Sequence, residues 1–286
     1  MKKLCLIFIV LLLVLPGCSV KEDYRIAATT LPVYEFTSTI CKGTPIAVTQ
    51  LITEEVSCLH DYSVQVSQMQ KIESAQAVVL SGGGLEEFLD DVLDSAGTVI
   101  DASTGITLSC HHEEHDGDHH HENDPHIWLS PKNAKVMSKN IASALSAIYP
   151  EYQTDFEGNL EDLLAKLDLL QQYGETTLQE LTCRDMITFH DGFTYFAEAF
   201  DLHILKAIEE ESGSEVSAKE LTELCVLIKS RQIPAIFTET NGSTASAAVL
   251  SAEIGVKAYT LDMAMSGSSY FNAMYHNIDT IKEALG

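Results

Sequence analysis

Short apolar runs bounded by turn residues alternate with amphipathic segments along both halves of the chain. The runs in the first half that have the length of β-strands are residues 24–29, 45–51, 77–80 and 98–101. Those in the second half are residues 185–189, 203–208, 235–238 and 256–261. Segments with helical spacing lie between them, and the clearest are residues 85–93, 217–230, 243–254 and 270–285. Strands that alternate with helices predict a parallel sheet flanked by helices in each half, which is an α/β fold.

A longer amphipathic pattern separates the two halves. From residue 151 to residue 181, apolar side chains recur at spacings of three and four, which predicts one helix with a single apolar stripe. At about 1.5 Å per residue, such a helix would be roughly 45 Å long. We expect a rigid helix that joins two α/β lobes. An ordinary amphipathic helix that breaks at Gly174 is the alternative.

The first 18 residues have the charge and apolar pattern of a secretory leader that ends in a lipid anchor. Two lysines precede an apolar stretch over residues 4–15, which is too short to favour a spanning helix. Residues 15–18, LPGC, resemble the lipobox of bacterial lipoproteins, in which the cysteine is diacylated and becomes the new N-terminus. We therefore expect an extracytoplasmic protein that is anchored to the cell membrane through Cys18. Because Pro16 is less usual in a lipobox, a plain secretory leader cut nearby is the alternative.

These patterns together predict the organisation of the chain. A signal peptide is expected at residues 1–17 and an N-terminal α/β lobe at residues 18–150. The linking helix follows at residues 151–181, and a C-terminal α/β lobe takes up residues 182–286.

Composition narrows the classes of function. The 286 residues carry a formal net charge of −25, which argues against binding to nucleic acid, because the neutralisation of phosphates needs Lys and Arg. Five of the seven cysteines follow the leader, and no CxxC pair is present, so a thiolate zinc site is disfavoured. A disulfide between Cys183 and Cys225 is left open by the sequence.

Seven of the eleven histidines lie within residues 109–131, and six of them form an acidic, glycine-containing loop that we place at residues 109–125. The six are His111, His112, His115, His119, His120 and His121. An unperturbed imidazole has a pKa near 6.5, so these side chains can offer neutral ligands at pH 7. Because an open loop loses entropy when it orders, we expect weak, multiple and exchangeable metal binding. A solvated linker with incidental metal affinity is the alternative.

A second set of metal-ligating residue types lies outside this loop. His60 and His190 follow predicted strands of opposite halves, Asp262 directly follows another strand, and His126 sits between an Asp-Pro turn and Ile-Trp. In open α/β sheets, ligands bind outside the carboxyl ends of the strands. Three imidazoles and one carboxylate form a four-ligand set that suits Zn²⁺. Taken singly, each of these residues is also explained as a cap or a surface residue.

Four motifs together resemble those of the metal-binding solute-binding proteins of bacterial ABC importers, the zinc and manganese family (cluster A-I). The most specific is DPHIWLSP at residues 124–131. HDGFTYF at residues 190–196 and HDY at residues 60–62 match two further ligand regions, and Leu261-Asp262 before the last helix matches the fourth. The family often has Asp-Pro before its first ligand histidine, whereas this chain has Cys58-Leu59.

The resemblance implies two α/β lobes joined by a long helix, with one metal ion held in the cleft by His60, His126, His190 and Asp262. It also implies a high-affinity receptor, expected here as a monomer, that delivers Zn²⁺ to the permease of an ABC importer. Manganese members tend to have two histidines and two carboxylates, so His190 and the histidine-rich loop favour zinc. Mn²⁺ as the cargo is the alternative within the family.

Proteins of other functional classes could use the same metal-ligating residues. A surface adhesin or metal buffer without a permease would share the same ligands. A zinc hydrolase would use His60, His126 and His190 as ligands and Asp262 or Glu239 as a general base. We expect no enzyme activity, because four protein ligands leave no open position on the metal.

Overall fold

Two parallel sheets form the frame of the protein. The computed structural model describes residues 25–56, 59, 62–109, 123–209, 217–242 and 244–286, and within these ranges each sheet has four strands. The first has the order β2-β1-β3-β4, with β1 at Arg25–Ala28, β2 at Ala47–Gln50, β3 at Ala77–Leu80 and β4 at Thr98–Asp101. The second has the order β6-β5-β7-β8, with β5 at Asp185–His190, β6 at His203–Glu209, β7 at Ala235–Glu239 and β8 at Lys257–Leu261. The predicted α/β class is confirmed.

Helices provide the crossovers that parallel strands require. In the first half they are α1 (Leu31–Ile40), α2 (Val66–Ser74), α3 (Asp90–Leu93) and α4 (Pro131–Ile148). The long α5 (Gln153–Thr177) follows, and the second half contains α6 (Thr194–Ala199), α7 (Ala218–Arg231), α8 (Ala245–Ile254) and α9 (Tyr270–Leu285). None of the helices in the described ranges has the length and apolar character needed to cross a membrane.

The elements agree closely with the hydrophobic pattern, with one exception. Strands β3 and β4 and helix α9 match their predicted ranges residue for residue. The predicted helix over residues 85–93 is instead a 3₁₀ turn, Glu87–Leu89, followed by the single turn of α3. The Glu86 carboxylate accepts the backbone N–H groups of Ser81 and Gly82, and this bends the chain back onto the end of β3 before a helix can start.

The long helix α5 joins the two halves, as predicted, and packs against both of them. Its 25 residues make a rod of about 37 Å. It packs against α1 and α4 in the first half and against α9 in the second. The helix continues past Gly174 to Thr177, as predicted, so the alternative of a break at Gly174 is not observed. Gly174 is needed for close packing, since a Cβ there would lie 2.1 Å from Cε1 of Phe200.

One apolar core joins the two halves, and Trp128 lies at the junction. Its side chain is fully buried. The indole Nε1–H donates to the carbonyl of Met263 at 2.7 Å, and the Tyr270 hydroxyl donates to the carbonyl of Trp128 at 2.9 Å. These bonds tie the segment before α4 to the segment after β8. The DPHIW sequence is therefore held against the second half of the protein.

The cysteines of the second half are not bridged to each other. Cys183 and Cys225 are both free. The Cys183 thiol donates to the carbonyl of Asp185, whereas Cys225 packs on helix α7 against a separate small core. The disulfide that the sequence left open is not formed.

Candidate metal centre

The imidazoles of His126 and His190 face each other between the two halves. Their Nε2 atoms lie 3.5 Å apart, and their ring planes are nearly perpendicular at 89°. Both side chains are 2% exposed. Two nitrogens bound to one tetrahedral Zn²⁺ at about 2.0–2.1 Å are separated by roughly 3.4 Å. The observed spacing therefore suits two ligands of a single zinc ion.

His126 is oriented by its neighbour in the Asp-Pro-His turn. The Asp124 carboxylate oxygen Oδ1 accepts both the backbone N–H of His126, at 2.9 Å, and the ring Nδ1, at 2.8 Å. Asp124 is fully buried, so its charge is poorly screened at this position. A carboxylate on Nδ1 holds the proton there and leaves Nε2 as the ligand atom.

His190 is positioned by the second sheet. It is the last residue of β5, an inner strand, and Glu239 is the last residue of the neighbouring strand β7. Thr188 pairs with Phe237, so the register brings His190 and Glu239 side by side two residues further on. The Glu239 oxygen Oε2 lies 3.7 Å from Nδ1 of His190, and both side chains are buried. Each imidazole thus has a buried carboxylate on the side away from the facing Nε2 atoms.

Gly192 allows the two imidazoles to approach. A Cβ at this position would lie 2.7 Å from Cδ2 of His190 and 2.9 Å from Nδ1 of His126. It would also lie 2.7 Å from Cε of Met263. The absence of a side chain at residue 192 is therefore a requirement of the site, and Met263 lines it from the segment after β8.

Asp262 begins the segment that carries Met263, and its backbone is held by helix α9. Its N–H donates to the Asn277 amide oxygen at 2.7 Å, and its carbonyl accepts from the Asn277 amide nitrogen at 2.7 Å. Its carboxylate oxygen Oδ1 accepts the N–H of Ala264 at 2.8 Å. One carboxylate oxygen of Asp262 therefore stabilises the turn between Asp262 and Ala264, which is a structural role for this side chain.

Comparison of the chain with known protein families agrees with a metal site at this position. The family model for ZnuA, described as the periplasmic component A of a zinc-uptake complex, matches residues 26–284. The chain belongs to this family. The resemblance that the motifs indicated is therefore confirmed, and the ZnuA family is one of metal-binding solute receptors.

Relatives of known structure support the assignment to the ZnuA family. A crystal structure of ZnuA matches with a TM-score of 0.80 and 30% identity over 92% of this chain and all of that one. The Zn(II)-bound ZnuA-like domain of Streptococcus pneumoniae AdcA matches with a TM-score of 0.77 and 30% identity, over 92% of this chain and 99% of that domain. The zinc-binding lipoprotein AdcA of S. pneumoniae is 31% identical over 98% of this chain. The chain spans 59% of the length of that lipoprotein.

Two of the four predicted ligands of this ZnuA family member are brought together in the part of the chain that the structure describes. His126 and His190 face each other, and Asp262 lies in the segment beside them. His60 lies outside the described residues, as do the six loop histidines and Cys18. Among the described residues, no group of three or more His, Cys, Asp or Glu side chains is arranged to hold a metal ion. The four-residue set stays a prediction.

The motifs give no direct sign of how Asp124 and Glu239 support the imidazole pair. Asp124 belongs to the DPHIW motif, and its spacing of two residues from His126 is the local signal that could identify its role. Glu239 directly follows the predicted strand at residues 235–238, but its position next to His190 depends on the register of β5 against β7. Local sequence contains no signal for that register.

Proposed function

We propose that the protein is an extracytoplasmic receptor that captures Zn²⁺ between its two halves and delivers it to the permease of an ABC importer. The observation that carries the proposal is the 3.5 Å separation of the Nε2 atoms of His126 and His190, which come from opposite halves. Membership of the zinc-uptake family and the names of the zinc-binding relatives support the same cargo.

The proposed ligands are His60, His126, His190 and Asp262. With all four bound, a tetrahedral ion has no open position for water or substrate, so the site binds and releases rather than catalyses. The protein is therefore proposed to have no enzyme activity. The buried carboxylates of Asp124 and Glu239 favour a cation at the pair.

Release follows from the same geometry. Because the ligands come from both halves, a permease that separates the halves removes ligands from the ion in one movement. Protonation of the imidazoles at acidic pH competes with the metal in the same direction. A spontaneous dissociation rate as fast as transport would make the permease step unnecessary and would contradict this part of the proposal.

The leader and the loop complete the proposal. Cys18 is the proposed lipidation site that keeps the receptor, as a monomer, at the membrane surface, and the relative named as a lipoprotein supports this. The six loop histidines are proposed as an accessory set that gathers zinc weakly. The net charge of −25 favours the approach of cations at long range.

The first test is a titration of the metal-free mature protein with Zn²⁺ and Mn²⁺. His126→Ala and His190→Ala are each expected to abolish the single tight zinc site, to which both residues are proposed to contribute. His203→Ala is the control, because its side chain is 61% exposed and lies 3.4 Å from Asp185 at the start of β5, the opposite end of that strand from His190. A chain without residues 111–121 should keep the tight site and lose weaker ones. Loss of tight binding in that chain would overturn the cleft site, and tighter Mn²⁺ than Zn²⁺ would overturn the cargo.

A further inference from the structure

A buried hydroxyl links the two halves directly behind the imidazole pair. Tyr195 lies on α6, shortly after His190 in the chain, and its side chain is 3% exposed. Its hydroxyl accepts the backbone N–H of Ser109 at 2.9 Å and donates to the backbone carbonyl of Asp124 at 3.0 Å. The hydroxyl thus uses its proton and a lone pair on two backbone groups of the first half.

The residue that Tyr195 holds is the one that orients His126. Asp124 accepts the Tyr195 hydroxyl with its carbonyl, and it accepts His126 Nδ1 with its carboxylate. Asp124 is also bonded to Ser109, whose carbonyl accepts the Asp124 N–H at 2.9 Å. Tyr195, Ser109 and Asp124 therefore form a closed set of hydrogen bonds that fixes the backbone from which His126 is oriented.

The same side chain belongs to the segment of the other imidazole. His190 ends β5, and α6 begins at Thr194, so Tyr195 and His190 are parts of one strand–turn–helix unit. Burial raises the pKa of the Tyr195 hydroxyl, which keeps it protonated and able to donate. A link from the unit of His190 to the backbone of Asp124, whose carboxylate orients His126, fixes the spacing of the two imidazoles without a contribution from a metal ion.

We infer that Tyr195 is a positioning residue for the metal site: through Asp124 it aims Nε2 of His126 at Nε2 of His190, and it thereby raises the affinity for zinc. This inference rests on the proposed function and adds a residue whose described hydrogen bonds go to the backbone of Ser109 and Asp124. It assigns the effect of Tyr195 to the Asp124 carboxylate rather than to general packing of the core.

The test is Tyr195→Phe, which keeps the ring and removes only the hydroxyl. We expect zinc at the tight site to bind about 10- to 100-fold more weakly, the range typical for the loss of a partner that supports a ligand histidine. Tyr149→Phe is the matched control. Tyr149 is equally buried at 3%, and its hydroxyl donates to the Gln76 side chain at 2.8 Å, away from the imidazole pair. The zinc affinity of the Tyr149→Phe variant should equal that of the unmodified protein.

A double-mutant cycle separates positioning from packing. If Tyr195 acts through Asp124, then adding Tyr195→Phe to Asp124→Asn should weaken zinc binding by less than threefold beyond Asp124→Asn alone. Multiplicative effects of the two changes would overturn the inference. The cycle is repeated in the chain without residues 111–121, where the effect of Tyr195→Phe should persist. Its disappearance there would assign the effect to the loop histidines and overturn the inference as well.

The tautomer of His126 provides a readout that packing alone would not move. In nitrogen-15 NMR spectra of the metal-free protein, Nδ1 of His126 should carry the proton, and Tyr195→Phe should shift the ring towards a mixture of tautomers. An unchanged tautomer with unchanged affinity would refute a positioning role. Failure of the proposed function is distinct, because tight zinc binding would then be absent from the unmodified protein or would survive His126→Ala.

Discussion

The Nε2 atoms of His126 and His190 lie 3.5 Å apart although the two residues are separated by 64 positions in the chain. Two different scaffolds make this contact. His126 is held by the turn before α4, which Trp128 anchors to the carbonyl of Met263, and His190 is held at the carboxyl end of β5. Asp124 bonds to Nδ1 of His126, and Glu239 lies 3.7 Å from Nδ1 of His190, so a buried carboxylate stands behind each of the two imidazoles.

Asp124→Asn should weaken zinc binding at the tight site by about 10- to 100-fold, because an amide carries no charge and no longer enforces the proton on Nδ1 of His126. The measurement is competition with a chelating dye of known affinity. Asp168→Asn is the control, since Asp168 is 63% exposed and forms a surface ion pair with Lys135. Equal zinc affinities for the two variants would show that Asp124 has no role at the site.

Glu239→Gln should also weaken zinc binding, by removing a buried negative charge 3.7 Å from Nδ1 of His190. The expected loss is about tenfold, at the low end for a supporting carboxylate, since 3.7 Å is longer than a hydrogen bond. Stopped-flow removal of zinc by a chelator measures the faster dissociation. Glu223→Gln, a change on the surface of α7 where Glu223 pairs with Lys219, should leave the rate unaltered. A slower rate in Glu239→Gln would contradict the assignment.

Gly192→Ala should damage the site more than the fold. The new Cβ would lie within 3 Å of both imidazoles and of the Met263 methyl group, so the ligands must move apart. We expect zinc affinity to fall at least 100-fold, on the order of 3 kcal/mol of binding free energy. Gly158→Ala is the matched control, because a Cβ at residue 158 meets nothing within 4 Å. Gly158 lies in helix α5, where replacing glycine with alanine should add about 0.5–1 kcal/mol to the free energy of unfolding. Isothermal titration measures the zinc affinity of each variant, and thermal unfolding measures its stability.

Glu86 should make the stability of the metal-free protein depend on pH. Burial, with a smaller contribution from the nearby charge of Asp101, raises the pKa of its carboxyl to about 7. The hydrogen bonds from Thr29 and from the backbone N–H groups of Gly82 and Ser81 lower this pKa, but by less than burial raises it. The folded state then holds a proton that the unfolded chain, with an ordinary value of 4.5, releases. The stabilisation is complete below pH 4.5 and is lost as the pH rises to about 7.

Denaturant unfolding between pH 5 and pH 8 measures this contribution. The unmodified protein should lose about 2–3 kcal/mol of unfolding free energy relative to Glu86→Gln over that range. The difference between the two proteins cancels other titrating groups that they share. Parallel pH dependences would show that Glu86 is ionised throughout and would contradict the raised pKa.

Much of the fold could be predicted from local pattern. Alternation of apolar runs with amphipathic segments located the strands of both described sheets, and the three- and four-residue spacing located α5. The helix expected at residues 85–93 failed because Glu86 bonds to the backbone before it, a contact that periodicity does not register. The alternative of a break at Gly174 rests on the low helix propensity of glycine, whereas in the structure the missing side chain makes room for the ring of Phe200 and the helix continues.

The sequence by itself determined the α/β class, the family, and the identity of His126, His190 and Asp262 as candidates, because motifs and periodicity are properties of neighbouring residues. Only the tertiary structure decided that Glu239 lies beside His190, through the register of β5 with β7, and that the Tyr195 hydroxyl reaches Ser109 and Asp124, which are 86 and 71 positions away. Contacts of this kind depend on how all the elements pack together. No local pattern encodes them, because the same strands and helices at another register would leave every motif intact.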